Sequence, residues 1–183
     1  MREMCSPSQT VGPFFRIGLE HLCARPNALT VSGGVTVRGR VLDANKEPVP
    51  DAMLELWRAG QKEDDASVNK EALLLPQGFI RVATDDKGAF RFCFVKPGRV
   101  DAGDGRMQAP HVVVLFFARG LLRHLITRMY FPGEPGNDSD PVLQSVPAER
   151  RATLIAKPEP DNPAVLTWDI RLQGEEETVF FAW

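Results

Sequence analysis

Alternating apolar and polar residues, the pattern of half-buried β-strands, run through most of this chain. The clearest case is 35–41, where valines at 35, 37 and 41 alternate with threonine and arginines. The pattern predicts strands at 35–41, 54–57, 79–84, 90–95, 111–118, 125–131, 165–172 and 178–181. So many short strands predict a mainly β protein, an antiparallel β-sandwich or barrel, with one or two short helices and long loops.

Helices, turns and loops interrupt this alternation. Residues 145–157 predict a helix that begins with Ser145 as its cap, and 18–24 predict a short amphipathic turn. The run Asp85–Gly88 predicts a hairpin turn between two strands. The segments 59–78 and 96–110 predict long loops, and loops of this length tend to carry function or contact a partner.

Length, charge and cysteines narrow the class of protein. The chain of 183 residues suits one domain over 1–183, and its net charge of −2 argues against nucleic acid or an anionic membrane as partner. The most apolar run, 111–118, is too short to span a bilayer. Three scattered cysteines and an N-terminus without a signal-peptide pattern lead us to expect reduced thiols and a cytoplasmic protein.

Histidines are the first candidates for chemistry. His111 opens the most apolar strand, which we expect to be buried on both faces; His111 is either a hydrogen-bonded strand-end residue or a metal ligand or acid–base group. His124 could pair with it across a hairpin, and His21 suits a surface helix. The acidic clusters 85–86, 138–140 and 175–177 are interpreted as solvated turns. These residue types form no complete catalytic constellation by themselves.

Two further segments are unusual. Arg119 directly follows the apolar run, where a guanidinium could receive a carboxylate through paired hydrogen bonds, or form a structural ion pair. Near the N-terminus, Gly12 and Pro13 give a rigid backbone that a ligand could approach closely, or an arm that packs on a partner.

Several motifs together resemble the intradiol ring-cleavage dioxygenases. They are SQTVGPFF at 8–15, GRVLDANKEPVPDAMLELWRA at 39–59, DDKGAFRFCFVKPG at 85–98, APHVVVLFFARG at 109–120, TRMYFPGE at 127–134 and WDIRLQGEEETVFF at 168–181. They occur in order over nearly the whole chain. The resemblance implies the β-sandwich of that family.

The resemblance also allows the family's metal ligands to be checked, because its iron-bearing chains hold Fe(III) with two tyrosinates and two histidines. His111 matches the first histidine, but Val113 stands at the second. No tyrosine occurs at either tyrosinate position, and the only tyrosine, Tyr130, is not at a ligand position. Gln108 replaces an arginine that assists catalysis in those chains. We therefore expect no metal bound by this chain alone, since ferric iron prefers anionic oxygen ligands.

In heteromeric members of the family, an iron-free alpha chain pairs with an iron-bearing beta chain. The resemblance implies that this chain is of the alpha type, with Fe(III) in the partner beta subunit. The substrate would be protocatechuate, which O₂ cleaves to 3-carboxy-cis,cis-muconate. The arm 1–30 would contact the partner, and Thr10, Gly12, Pro13 and Arg119 would line the substrate pocket. Phe14 replaces a tyrosine often found after Gly-Pro.

Two other hypotheses remain open from the sequence. The motif at 39–59 also occurs in transthyretin-like β-sandwiches, so the chain could be a solitary binding module without enzymatic role. It could also be an independent metalloenzyme that uses His111 and His124.

Overall fold

Two β-sheets enclose the apolar core in the computed structural model, which describes residues 7–23, 34–58 and 78–182. The strands are β1 (Val35–Leu42), β2 (Met53–Trp57), β3 (Phe79–Ala83), β4 (Ala89–Phe94), β5 (Val100–Asp101), β6 (Met107–Gln108), β7 (His111–Phe117), β8 (Leu125–Tyr130), β9 (Lys157–Glu159), β10 (Asn162–Thr167) and β11 (Ile170–Arg171). The helices are α1 (Pro13–Leu19) and α2 (Pro141–Ser145), with 3₁₀ turns at Glu20–Leu22, Pro135–Ser139 and Ala148–Leu154. None of the helices described is both long and apolar enough to cross a membrane.

The two sheets differ in how their strands pair. One has the order β3-β2-β7-β8 and is antiparallel throughout. The other is built around β1, which pairs antiparallel with β4 and parallel with β10 and β11, while β9 joins β10. Strands β5 and β6 form a small separate hairpin within the predicted loop 96–110. The mainly β sandwich predicted from the sequence is therefore confirmed, with two parallel pairings added.

Alternation places one face of each strand in the core, as the sequence pattern predicts. Phe90 and Phe92 of β4 pack against Val112 and Val114 of β7 in the main apolar cluster. Within β1, position 39 must be glycine for a steric reason, because a Cβ there would lie 1.8 Å from the carbonyl oxygen of Trp168. The core thus requires the alternation of apolar and polar residues and also the close approach of the β1 backbone at Gly39 to Trp168.

The other face of β7 is half-buried rather than fully buried, in contrast to the prediction for this strand. His111, Val113 and Phe117 share this outer face, and only His111 is buried. A second, smaller apolar cluster that includes Tyr130 and Leu143 covers the end near His111. The outer face of the β3-β2-β7-β8 sheet therefore carries His111 and Val113, the two positions that match the family's histidine ligands.

The predicted hairpin at 85–88 is wrong. The Asp85 carboxylate does accept N–H groups of Lys87 and Ala89, so a tight turn forms. The strands on either side then join different sheets, because β3 pairs with β2 and β4 pairs with β1. The Thr84 hydroxyl helps to hold β3 beside β2, since it accepts the Ala52 N–H at 3.0 Å.

The predicted helix at 145–157 is also wrong. Ser145 ends α2 rather than capping a helix, and Val146 is extended, with φ −84° and ψ 136°. A residue before proline avoids the helical region, so Pro147 forces this break. The chain resumes as the 3₁₀ turn at 148–154 and then enters β9.

The other differences concern the chain ends and one loop. No strand forms at 178–181, where the Thr127 hydroxyl donates to the Val179 carbonyl and only one bridge, between Ile126 and Phe181, is made. The predicted turn at 18–24 is the end of α1 followed by the 3₁₀ turn at 20–22. The predicted loop at 59–78 lies outside the described residues, apart from Gly78.

Candidate functional site

Strand β7 places the candidate residues at its two ends. At its start, His111 lies opposite Tyr130 of β8. Two residues later on the same face, Val113 lies between Arg128 of β8 and Trp57 of β2. Directly opposed residues of an antiparallel pair share a face. The structure therefore brings His111, Val113 and Arg128 together on the outer face of the sheet.

His111 is held as a neutral ring. The residue is only 8% exposed, and Nδ1 is 2.8 Å from the Ala109 carbonyl oxygen. Because a carbonyl only accepts, Nδ1 carries the hydrogen. Burial, followed by the positive charge of Arg128, lowers the pKa of His111 below its ordinary value of 6.5. The ring therefore acts as a donor within this chain.

Asp140 is a buried carboxylate that packs at the start of β7, beside Ala109. It is fully buried, and its Oδ2 accepts the Ala109 N–H at 2.7 Å. Its Oδ1 accepts the N–H groups of Val142 and Leu143, at 2.9 and 2.7 Å, and so caps α2. The prediction that 138–140 is a solvated turn is wrong for Asp140. The pair Asp140-Pro141, a cap followed by proline at the first helical position, was the signal that could have revealed it.

Tyr130 completes the buried network. Its hydroxyl donates to Asp140 Oδ1 at 3.0 Å, and its ring centroid is 5.7 Å from that of His111. Burial is the main cause that raises the pKa of Tyr130 well above its ordinary value. The phenol consequently keeps its proton and remains a hydrogen-bond donor to the carboxylate.

Arg128 supplies the positive charge of the network. The residue is 8% exposed, and Nη1 donates to Gln108 Oε1 at 2.6 Å and lies 3.4 Å from Tyr130 Oη. A buried guanidinium needs hydrogen-bond acceptors and a nearby negative charge. The side chains of Gln108 and Tyr130 supply the acceptors, and the Asp140 carboxylate, which accepts the Tyr130 hydroxyl, supplies the charge. Gln108 is thus part of a structural network in this chain.

These residues do not fit a ferric ion. The position of the family's second histidine carries the aliphatic Val113, and the protonated hydroxyl of Tyr130 is bonded to Asp140, so of these residues only the His111 imidazole could serve as a ligand. Ferric iron requires anionic oxygen donors, which this arrangement does not offer. Across 7–23, 34–58 and 78–182, no group of three or more His, Cys, Asp or Glu could hold a metal ion.

The opposite end of β7 is open. Arg119 is exposed directly after the strand, and Gly120 has a positive φ of 90°. The Gly120 N–H donates to Thr10 Oγ1 at 2.7 Å, so the structure brings the N-terminal segment beside Arg119. Gly12 and Pro13, which begins α1, follow Thr10 closely in this segment.

Gly12 has no structural reason to be glycine within the described part of this chain. Its φ is −89°, which any residue can adopt, and a Cβ built there meets no described atom within 4 Å. The next residue but one, Phe14, is 79% exposed. Among residues 7–23, 34–58 and 78–182, nothing fills the space beside Gly12.

The N-terminal segment is nevertheless fastened to the sheet. The ring of Phe15 lies 5.4 Å from that of Phe117, and His124 contacts the same Phe117 ring at 5.4 Å. Arg16 forms an ion pair with Asp51 at 3.0 Å. These contacts order 7–23 against the outer face, although its apolar Phe14 faces solvent.

The arrangement contradicts a metal site built from His111 and His124. His111 pairs with Tyr130 at the start of β7, whereas His124 lies just before Leu125, which pairs with Phe116 near the end of β7. The two histidines are thus at opposite ends of one strand.

A cavity of about 220 Å³ lies elsewhere in the molecule and contains none of the predicted site residues. Its lining includes Trp168, Asp169 and Arg171, and Arg171 is already paired with Glu176. We therefore place the candidate site at the exposed end of β7.

Comparison with known proteins identifies the family. A family model described as a dioxygenase matches residues 20–174. The protocatechuate 3,4-dioxygenase alpha chain of Burkholderia cepacia is 42% identical over 193 residues, which cover 96% of this chain and 96% of that one. The beta chain of the same organism's enzyme is 31% identical over 157 residues, or 79% of this chain and 66% of that one.

A solved structure supports the same assignment. The dioxygenase domain of a dioxygenase carbohydrate-binding protein fusion from Streptomyces sp. SirexAA-E superposes with a TM-score of 0.57 at 25% identity, covering 85% of this chain and 88% of that one. The matched family model spans residues 20–174, and the alignment with the alpha-chain relative covers 96% of this chain. This chain belongs to the intradiol ring-cleavage dioxygenase family.

Proposed function

We propose that this chain is the iron-free alpha subunit of a heteromeric, cytoplasmic protocatechuate 3,4-dioxygenase. It assembles with an iron-bearing beta subunit, and together they cleave protocatechuate with O₂ to 3-carboxy-cis,cis-muconate. The observation that carries this proposal is the 42% identity to an alpha chain over 96% of both sequences. The separate, weaker match to a beta chain supports two related chains with different roles.

The buried end of β7 supports the division of labour. The Tyr130 hydroxyl is bonded to Asp140, Val113 offers no ligand atom, and the His111 imidazole alone would not retain ferric iron. The ferric ion and the chemistry of ring cleavage therefore belong to the beta subunit in this proposal. This chain contributes to binding and orientation of the substrate.

Arg119 is the residue to which we give the main role. Its exposed guanidinium is available to the substrate carboxylate, and a pair of charge-assisted hydrogen bonds there is worth roughly 1.5–3 kcal/mol. Gly12 and Pro13 form the wall beside it, where the missing Cβ lets the substrate or the partner approach the backbone. Fixing the carboxylate orients the ring before it reacts.

Expression of the chain alone and with the beta-type chain of its own source organism tests the proposal. We expect ferric iron in proportion to the beta chain, and protocatechuate-dependent O₂ uptake, only in the co-expressed complex. Stoichiometric ferric iron and ring opening by the isolated chain would contradict the proposal. A stable isolated chain that does not associate with the beta chain would instead support a solitary binding module.

A further inference from the structure

We propose that Thr10 is a positioning residue that fixes Arg119 through the backbone of Gly120, and that it is not itself a contact of the substrate. This inference rests on the proposed function, because it concerns the geometry of the residue that would receive the carboxylate. It revises the role that the resemblance implied for Thr10, namely a lining residue of the pocket.

The hydroxyl of Thr10 is already engaged within the chain. Its Oγ1 accepts the Gly120 N–H at 2.7 Å, and it lies 3.3 Å from the Val11 carbonyl oxygen, to which it donates. A threonine hydroxyl has a single hydrogen to donate. In this arrangement its one hydrogen is given to the Val11 carbonyl, so the hydroxyl already has a donor and an acceptor contact within the chain.

The orientation of the Gly120 N–H affects the direction in which the Arg119 side chain leaves the backbone. It belongs to the same planar peptide unit as the Arg119 carbonyl, so a bond to this N–H fixes the orientation of that plane. Gly120 has a φ of 90°, a conformation that glycine adopts readily, and the turn is closed by a 3.3 Å bond from the Leu121 N–H to the Ala118 carbonyl. The Thr10 contact is the shorter of the two hydrogen bonds.

The same bond joins the two parts of the proposed pocket wall. Thr10 and Gly120 are 110 positions apart in the sequence, and Gly12 follows Thr10 by two residues. The ring contacts of Phe117 with Phe15 and His124 flank the turn but do not act on its backbone. This hydrogen bond thus adds a direct link between the Arg119 turn and the segment that carries Gly12 and Pro13, beside the ring contact of Phe15 with Phe117.

Kinetics of the alpha–beta complex test this role. Thr10→Val keeps the shape but removes the hydroxyl, and we expect kcat/KM for protocatechuate to fall about two- to tenfold, mainly through KM, with unchanged iron content. Thr10→Ser should restore wild-type kinetics. In an Arg119→Ala background, Thr10→Val should have little further effect, because its action requires the guanidinium. Ser8→Ala, which removes a hydroxyl from the same exposed segment, is the matched control.

Hydrogen exchange at Gly120 tests the contact itself without reference to activity. We expect the Gly120 amide to exchange faster in Thr10→Val than in the wild type or in Thr10→Ser. Equal exchange in all three proteins would overturn the inference, as would an undiminished effect of Thr10→Val in the Arg119→Ala background. A wild-type complex without activity would refute the proposed function and the positioning role together, whereas these other outcomes would refute the positioning role alone.

Discussion

The two ends of β7 show how one strand can be closed to ligands at one end and open at the other. At the start, His111 donates to the Ala109 carbonyl, and the Tyr130 hydroxyl donates to the buried carboxylate of Asp140. At the end, Arg119 is exposed, and the backbone N–H of the next residue, Gly120, is bonded to Thr10. Both ends belong to the same outer face of the same sheet, so the difference is one of side chains and not of fold.

The closed end carries apolar and hydrogen-bonded groups where the resemblance places metal ligands. Val113 stands where the resemblance places a ligand, and the charge on that part of the sheet is the guanidinium of Arg128, bonded to Gln108. Buried polar groups are tolerated when they satisfy one another, so the closed end contributes to stability. The open end keeps a cationic side chain exposed at the surface, which is the requirement for binding an anion.

The closed end should therefore be sensitive to removal of Asp140. Asp140→Ala removes a cap and leaves buried donors of Ala109 and Tyr130 without an acceptor, so we expect a loss of about 3 kcal/mol or more in the free energy of unfolding. Asp140→Asn keeps the shape but places an amide where an acceptor is needed, and should cost less, about 1–2 kcal/mol. Denaturant unfolding of each variant measures these values.

Asp138→Asn is the control, since Asp138 is an exposed carboxylate in the same acidic cluster. We expect its free energy of unfolding to stay within about 0.5 kcal/mol of the wild type. Equal effects at 138 and 140 would show that the buried network does not stabilise this end of the strand.

The open end should be sensitive in activity rather than in stability. In the complex, Arg119→Ala should lower kcat/KM for protocatechuate about ten- to 150-fold, because charge-assisted hydrogen bonds to the carboxylate are lost. Iron content and the midpoint of thermal unfolding should not change. Arg119→Lys should recover part of the loss, since lysine keeps the charge but not the paired geometry.

Arg123→Ala provides the matched control for Arg119. Arg123 is also exposed and lies in the same loop. Its removal should leave kcat/KM within about twofold of the wild type, as expected for a screened surface charge. Similar losses at both positions would mean that the loop acts through its net charge, and loss of iron in Arg119→Ala would contradict the assignment of the metal to the partner.

The sequence predicted the open end better than the closed end. Alternation located β7 and its exit, so the local pattern alone was enough to place Arg119 at a rim. The burial of Asp140 depends on contacts with Ala109, 31 positions away, and with Tyr130, 10 positions away, and local composition made 138–140 look like a solvated turn. The Thr10–Gly120 contact spans 110 positions and leaves no local pattern. Apart from the segments 145–157 and 178–181, whose predicted helix and strand do not form, long-range side-chain contacts were what the sequence could not supply.

His111 gives the smallest and most specific test of the closed end, through the pH dependence of stability. Burial and Arg128 lower its pKa in the folded state, while Asp140 and the Ala109 carbonyl act in the opposite direction. The unfolded chain, with an ordinary histidine pKa near 6.5, then binds a proton more readily than the folded chain. The contribution of neutral His111 is present above pH 6.5 and is lost as the pH falls through the folded-state pKa.

We therefore expect the wild type to lose stability below pH 6.5 relative to His111→Asn, whose amide can still donate to the Ala109 carbonyl but does not titrate. The difference in unfolding free energy between the two proteins should change by at most about 1.4 kcal/mol per pH unit. Chemical denaturation at a series of pH values measures it. His21→Asn, at an exposed position, should follow the wild-type curve. Parallel curves for the wild type and His111→Asn would show that His111 does not have a lowered pKa, and the closed end would lose the electrostatic property that distinguishes it from the open one.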